Sequence, residues 1–372
     1  MPRTYRWFAE RLFLSLNIIV AVVFLLASLI PFLNPQDWWF ISLLGLGFAP
    51  LFFALVLFIL FWLIFKPRYA LISIVPLLIG WQSVVVLLAF NAPGQFNYQK
   101  PAGAIRVASW NVARFTEWKR NNNKGSQTRL KMFDLLKEQE ADVLCLQEFF
   151  HSTDTIYYNN LTEVMGELGY SYYYFSRDSI GSERFIGQAI FSRHPILDSG
   201  LVRYPRPGQP ESLLFTDIKI NQDTIRFYTT HLQSVQFRKD DFQNVEEIKS
   251  RDDSLIENSR NIFAKLKRGI VFRARQANIV RDLLGNAPYP YVFTGDFNDV
   301  PNSYAYFTIR NGMQDAFLEK GFGIGRTYSA LAPTLRIDYI LATQDFNVQQ
   351  FNRHVKEYSD HYLLVADLQL KK

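Results

Sequence analysis

The chain has 372 residues, of which 40 are basic and 34 acidic, and a single cysteine, Cys145. One cysteine excludes an intramolecular disulfide framework, and a length of this order implies two structural units. Residues 1–100 hold only eight charged side chains, six basic and two acidic, so residues 101–372 carry 34 basic and 32 acidic groups; that near-neutral remainder excludes a bulk electrostatic footprint for nucleic acid, though not local basic patches.

Three apolar runs, over residues 12–33, 38–65 and 69–90, contain no Asp, Glu, Lys, Arg or His. About 20 apolar residues suffice to cross a hydrocarbon core. One charge at the centre would cost roughly 2.5–3.5 kcal/mol on insertion scales. Pro31 and Pro76 are tolerated in lipid, where neighbours satisfy the freed carbonyls. The first run is too long for a cleaved signal peptide and two more follow it. Three transmembrane helices are therefore predicted, with residues 1–92 as the anchor and 93–102 as a short linker. Trp7, Trp38, Trp39, Trp62 and Tyr69 fall near run ends, as interfacial anchors do. Arg3, Arg6 and Arg11 precede the first run, the turn 34–37 has no basic residue, and the turn 66–68 has Lys66 and Arg68. The positive-inside rule places the N-terminus in the cytoplasm and, after three crossings, the rest of the chain outside it. The expected partners are a lipid bilayer and a substrate; no protein partner is expected.

Residues 103–372 read as one catalytic domain. Strand patterns cover 105–111, 142–147, 172–175, 188–191, 213–220, 225–231, 291–294, 337–341 and 363–368. Helical patterns cover 129–140 and 274–284. Many strands with few helices predict an α/β fold of two packed sheets with helices outside. Cys145, inside an apolar run, reads as a small core residue. Residues 236–272 are rich in both charges, with Val245, Ile248, Leu255, Ile256, Ile262, Phe263 and Leu266 at amphipathic spacing. They read as a helical insertion: a solvated surface, a substrate lid or a bilayer-contacting element.

Polar residues recur at strand exits, where loops can gather them into one cleft. The blocks are Ser109-Trp110-Asn111, Gln147-Glu148, Thr230-His231, Thr294-Gly295-Asp296-Phe297-Asn298, Arg336-Ile337-Asp338-Tyr339 and Ser359-Asp360-His361. Each alone is weak, because an Asp-X-Asn is commonly a turn and a Glu after a strand commonly faces solvent. Six in one chain are poorly explained by chance.

In this order the blocks resemble the endonuclease/exonuclease/phosphatase superfamily, the fold of deoxyribonuclease I. The resemblance spans about residues 103–372. It implies a four-layer αββα sandwich of two mixed sheets with the site at one sheet edge, and hydrolysis of phosphoester bonds with Mg²⁺, or Mn²⁺, as cofactor. A hard cation suits this chemistry, because it neutralises a phosphodiester that would otherwise repel hydroxide. By similarity Asn111, Glu148 and Asp360 would serve the metal. Asp296 would act as base on the attacking water and Asn298 would bond the water or a transition-state oxygen. His361, held by Asp338, would bind the phosphoryl oxygen, and His231 would contact the phosphate or protonate the leaving oxygen. A histidine at the His231 block sorts the chain away from AP endonucleases, toward nucleases resembling deoxyribonuclease I, sphingomyelinases, deadenylases and inositol-phosphate phosphatases.

The expected activity is thus a membrane-tethered, metal-dependent phosphoesterase acting on a lipid or small phosphoester, or on nucleic acid. The alternative is a catalytically silent binding module, which the intact residue set disfavours. His151, His194, His354, Arg177, Arg184 and the turn 321–325 read as structural or solvated.

Overall fold

The structure is a computed structural model that describes residues 3–92, 94–121, 124, 127–205, 211–235, 255–330 and 332–371. Contacts divide the chain into two units. One comprises Met1–Leu88, Ser234–Ala277 and Asp299–Thr308; the other comprises Ala89–Gln233, Asn278–Asn298 and Ile309–Lys372.

In the first unit, two helical stretches are long and apolar enough to cross a membrane, Trp7–Phe32 and Pro35–Phe65. The third apolar run departs from the expected single span over 69–90. A 3₁₀ turn, Pro67–Ala70, leads into a helix that ends at Ile79, and Gly80 interrupts it before a single further turn, Trp81–Val84. The interruption has a packing cause: a Cβ at Gly80 would overlap Ser28 Oγ and the Phe24 ring. The run then becomes extended and leaves the first unit at Leu88; Ala89–Phe90 (β1) and Phe322–Gly323 (β12), both in the second unit, pair antiparallel. The turn 321–325 is thus partly strand. A buried polar node ties the apolar helices together. Asn17 Nδ2 donates to Ser73 Oγ at 2.7 Å, and Trp62 Nε1 donates to Asn17 Oδ1 at 3.0 Å. Such buried side-chain bonds fix the register of packed apolar helices.

The insertion is one long helix, Leu255–Leu284, of which the expected helix 274–284 is only the end. Residues 236–254, with Val245 and Ile248, lie outside the described residues. Within the first unit this helix meets the first turns of the second long apolar stretch. Phe263 packs edge-on to Trp39 at 5.4 Å, Lys267 Nζ lies 4.4 Å over the Trp39 ring, and Arg275 Nε donates to Gln36 Oε1 at 3.2 Å.

The second unit holds two mixed sheets. One runs β14-β15-β2-β3-β6-β4, with β5 on β6: β2 is Ile105–Asn111, β3 Val143–Ser152, β4 Tyr172–Phe175, β5 Asp178–Gly181, β6 Arg184–Ser192, β14 Phe346–His354 and β15 Leu363–Leu370. The other runs β11-β13-β10-β9-β8-β7: β7 is Ile196–Arg203, β8 Ser212–Ile220, β9 Asp223–His231, β10 Tyr291–Asp296, β11 Gln314–Asp315 and β13 Asp338–Ala342. Parallel pairs β2/β3 and β9/β10 sit among antiparallel neighbours. Period-two alternation sends Val107, Val143, Cys145, Ile190, Phe227, Val292 and Ile340 into the layer between the sheets. Ala108, Trp110, Leu144 and Leu146 face outward against helices Thr128–Gln139 and Asn160–Glu167 through Met132, Phe133, Leu136, Leu161 and Val164. Burial pushes the Cys145 thiol up to about 12, in keeping with an inert core residue.

At the far end of β2 from the site lies a saturated ion pair. Arg106 and Asp367 are 1% and 0% exposed, with Nε to Oδ1 at 2.7 Å and Nη2 to Oδ2 at 2.8 Å. The remaining guanidinium N–H groups donate to the carbonyls of Asn97, Tyr98 and Gln139, which fastens the segment before β2 to the domain. Removing one member strands a buried charge. Asp367→Ala is expected to destabilise by about 3–5 kcal/mol, seen as a lowered melting temperature, whereas an apolar replacement of both residues is expected to cost far less. Equal losses in the single and double variants would contradict this.

Candidate active site

The strand ends place the expected residues together because β2, β3, β9, β10 and β13 all deliver polar groups to one end of the two sheets. Asn111 ends β2, His231 ends β9 and Asp296 ends β10, and Asp338 opens antiparallel β13 opposite Asp296. β3 extends beyond the expected 142–147, and Glu148 lies at an irregularity in its pairing with β6 between Leu146 and Phe149. Its φ of 49° is left-handed. A bulge of this kind re-aims one side chain without ending the strand. Gly295, with φ 146°, is required by a close approach: a Cβ there would overlap the Thr230 carbonyl of adjacent β9.

Asp296 is the hub and is 1% exposed. Its Oδ1 accepts from the Asn298 backbone N–H at 2.7 Å, which the left-handed Asn298 (φ 52°) makes possible. Its Oδ2 accepts from Asn111 Nδ2 at 3.1 Å, with His231 Nε2 at 3.5 Å and His361 Nε2 at 3.6 Å. Asn298 Nδ2 donates to the Leu232 carbonyl at 3.0 Å, so that amide also fixes the loop after β9. His361 Nδ1 lies 2.9–3.0 Å from both Asp338 oxygens, and the Asp338 and Ile337 backbone N–H groups are held by Thr327 Oγ1. Trp110 Nε1 donates to the His361 carbonyl at 2.8 Å, and Ser359 Oγ to the Asn111 carbonyl at 2.8 Å, locking the last block onto β2. Asp360 is exposed beside them.

These contacts set the charge states. Burial raises the Asp296 pKa, with the Asp338 charge adding to it, against the His361 and His231 charges and the Asn298 N–H. Burial alone would depress both imidazoles. For His361 the Asp338 and Asp296 carboxylates prevail and hold it up at about 10. For His231 Asp296, then Glu211 and Glu148, raise it above the usual value.

The sequence reading missed two groups. Arg114 sits in four consecutive left-handed residues, Ala113–Thr116, with φ between 44° and 61°. Its Nε is 3.3 Å from Glu148 Oε2 and its guanidinium lies over Trp118. Tyr328 pairs through its backbone with His361, and the two rings are 4.9 Å apart. Burial, then Asp360, Asp296 and Glu148, push the phenol up to about 12, so it stays a proton donor. No strand exit flags either residue; only the short separations Asn111–Arg114 and Tyr328–Asp338 hint at them. Tyr328→Phe is expected to lower kcat about tenfold, the scale of one hydrogen bond to a charged oxygen; unchanged turnover would remove it from the site.

Among the described residues, Asp296, Asp338 and His361 place one ligand-type atom each within 4.8 Å of one another. Distance would admit an ion there, but His361 Nδ1 donates its N–H to Asp338, and the carboxylates hold the ring protonated, so neither ring nitrogen offers a lone pair to a metal. Glu148 and Asn111 fit better. The Glu148 carboxylate remains partly exposed beside Arg114, and Asn111 Oδ1 accepts one bond, from Ala113 N at 3.1 Å, which leaves a second lone pair. Hard oxygen donors of this type suit Mg²⁺ or Mn²⁺.

The other expectations resolve simply. His151 is buried against Phe185, and His354 is buried with its pKa pushed down to about 4 by desolvation. His194 is in the turn between β6 and β7, 3.7 Å from Asp142. Arg177 donates to Tyr173 OH at 3.0 Å on the surface, and Arg184 lies over Tyr157. None of these joins the site.

Two packed mixed sheets carry a carboxylate–imidazole cluster at one shared end. The chain belongs to the endonuclease/exonuclease/phosphatase family, whose model matches residues 108–361. A second family model, described only as a domain of unknown function, matches residues 10–87. No curated protein matches the chain. Among solved structures, it is similar to an endonuclease/exonuclease/phosphatase from Beutenbergia cavernae, at 20% identity and TM-score 0.52, covering 72% of each chain. It is also similar to the human Nocturnin catalytic domain with bound sulfate anion, at 18% identity and TM-score 0.51, covering 74% of this chain and 98% of that one. At such identities the likeness speaks for the fold alone.

Proposed function

We propose that this chain is a divalent-metal-dependent phosphodiesterase tethered to a membrane, with its catalytic domain outside the cytoplasm. One observation carries the catalytic reading: a buried carboxylate, Asp296, held between two imidazoles and two amides beside the partly exposed Glu148. Glu148 and Asn111 would hold the ion, with Asp360 as a further ligand or as the acceptor for a metal-bound water. When bound, the ion supplies charge neutralisation of the phosphate and polarises its oxygen. Asp296 then takes the proton of the attacking water at Oδ2, and its raised pKa makes it a competent base. The Asn298 N–H aims that carboxylate. His361, kept cationic by Asp338, binds a phosphoryl oxygen. His231 carries a proton for the leaving oxygen, and Tyr328 donates to a nonbridging oxygen.

The tether rests on the two long apolar helices and the basic residues that flank them. The third apolar helix, Pro67–Ile79, rises only about 20 Å at about 1.5 Å per residue, so a third crossing needs the turn and extended segment after Gly80 to complete it. The contact of Phe263, Lys267 and Arg275 with Gln36 and Trp39, at the start of the second apolar stretch, supports the same topology. Once the first stretch crosses, the start of the second lies opposite the N-terminus, and the helix segment that touches it shares that side. A C-terminal reporter active only in the cytoplasm would overturn this.

The near-neutral catalytic sequence favours a lipid or small phosphoester over nucleic acid. The test is a panel of single- and double-stranded DNA, RNA, sphingomyelin-type lipids and inositol phosphates, each with Mg²⁺ or Mn²⁺ and with chelator. Chelator-sensitive hydrolysis of a lipid or inositol phosphate is expected. Preference for a nucleic acid would overturn the substrate class, and no hydrolysis of any member would favour a silent binding module.

A further inference from the structure

Between residues 260 and 281 the long helix carries seven basic side chains and no acidic one. Arg273 is taken up by Asp299, at 2.9 Å, and Arg281 by Asp282. Arg260, Lys267, Arg268 and Arg275 are exposed. Their spacing of seven to eight residues sets them on one stripe, opposite the face that buries Arg273, Gln276 and Val280. The stripe runs along the helix segment that docks on Gln36 and Trp39, in the same unit as the apolar helices. Around that turn Leu29, Phe32, Trp38, Phe40 and Phe263 are exposed large apolar side chains.

Bases in a row beside exposed aromatic side chains, at the end of bilayer-length apolar helices, match one environment. Aromatic rings settle at the headgroup level, and cationic stems above them meet lipid phosphates. Asp37 is the only acidic residue in the turn 34–37, so the docking turn itself offers the stripe little counter-charge.

We propose that the Arg260–Arg275 stripe of this helix is a docking surface for anionic phospholipid headgroups. This rests on the membrane-tether reading and is independent of the catalytic one.

The test uses full-length protein in mild detergent, with lipid retention counted by native mass spectrometry for phosphatidylglycerol and for phosphatidylcholine of the same chains. Wild type is expected to retain phosphatidylglycerol in preference. Each base near an anionic surface contributes about fivefold, so the triple variant Lys267→Gln, Arg268→Gln, Arg275→Gln should lose roughly a hundredfold of that preference. The control triple Arg177→Gln, Lys356→Gln, Lys371→Gln, remote in sequence, should keep it. A second arm needs no variant: raising salt from about 0.1 M to about 1 M shortens screening from about 10 Å to about 3 Å and should erase the wild-type preference. Equal retention of both lipids by wild type, a preference indifferent to the triple variant, or one indifferent to salt would each overturn the proposal while leaving the tether intact. Wild type that is soluble without detergent and retains no lipid would overturn both. Tighter binding of single-stranded DNA than of phosphatidylglycerol, lost in the triple variant, would assign the stripe to nucleic acid and overturn the lipid proposal.

Discussion

Asp296→Asn is expected to lower kcat by about 10²–10⁴, the usual scale of a positioned general base. The substitution is nearly isosteric. The acceptor for the Asn298 N–H survives at Oδ1, while the charge facing His231 and His361 is lost. Substrate binding through the cation and His361 should change less than turnover, so the loss falls on kcat more than on KM. The pH profile adds a second readout. Because burial raises the Asp296 pKa, the base form is lost as pH falls through a value above the ordinary carboxylate range. Wild-type activity should therefore show an acid limb in that region, and the Asn variant should lack it. A folded variant with wild-type turnover would remove Asp296 from the chemistry.

Asp338→Asn is expected to cost a similar 10²–10⁴, although Asp338 acts only through His361. Asp338 is the largest of the influences raising that imidazole from its usual 6.5 to about 10. Wild-type activity should thus persist through neutral pH and decline as His361 loses its proton near 10. Without the carboxylate the alkaline limb should move down toward neutrality. Linkage gives the same sign for stability. A folded-state pKa above the unfolded value stabilises fully below about 6.5, and that stabilisation is lost as pH rises through about 10. The wild-type melting temperature should fall between pH 7 and 10 by more than that of the variant. An alkaline limb unmoved by the substitution would show that the pair does not set it.

Much of this site was legible in the sequence because its residues sit at strand exits, where alternation stops and polar residues follow. Asn111, His231, Asp296 and Asp338 lie at the ends of β2, β9, β10 and β13, as the patterns 105–111, 225–231, 291–294 and 337–341 predict to within two residues. Glu148 was legible as a residue but not as a conformation. The pattern stops β3 at Gln147, whereas the strand passes through an irregularity to Ser152, since alternation alone does not record an extra residue in a ladder. β7 and β14 were invisible for a related reason: Asp198, Ser199, Asn347 and Gln350 interrupt any apolar alternation on sheet-edge strands. Hydropathy measures composition, so it could not see that Gly80 breaks the third apolar run or that Ala89–Phe90 pairs as a strand. Arg114 reaches Glu148 through a left-handed backbone run without glycine, and Tyr328 reaches His361 through a bridge across 33 residues. Both depend on tertiary closure that no local window contains. The insertion was readable as amphipathic, but its docking on Trp39 was not among the three readings of it, a solvated surface, a substrate lid or a bilayer-contacting element, because a local window does not show which element a helix face meets.

The most direct measurement is hydrolysis of a chromogenic phosphodiester by full-length wild type and by Glu148→Ala, each with Mn²⁺ and with excess chelator. Turnover by wild type that chelator abolishes, and that the Glu148→Ala protein lacks by at least about a hundredfold, is the predicted result. Equal turnover by both proteins, or wild-type turnover untouched by chelator, would contradict a cation held by Glu148 beside the Asp296 hub.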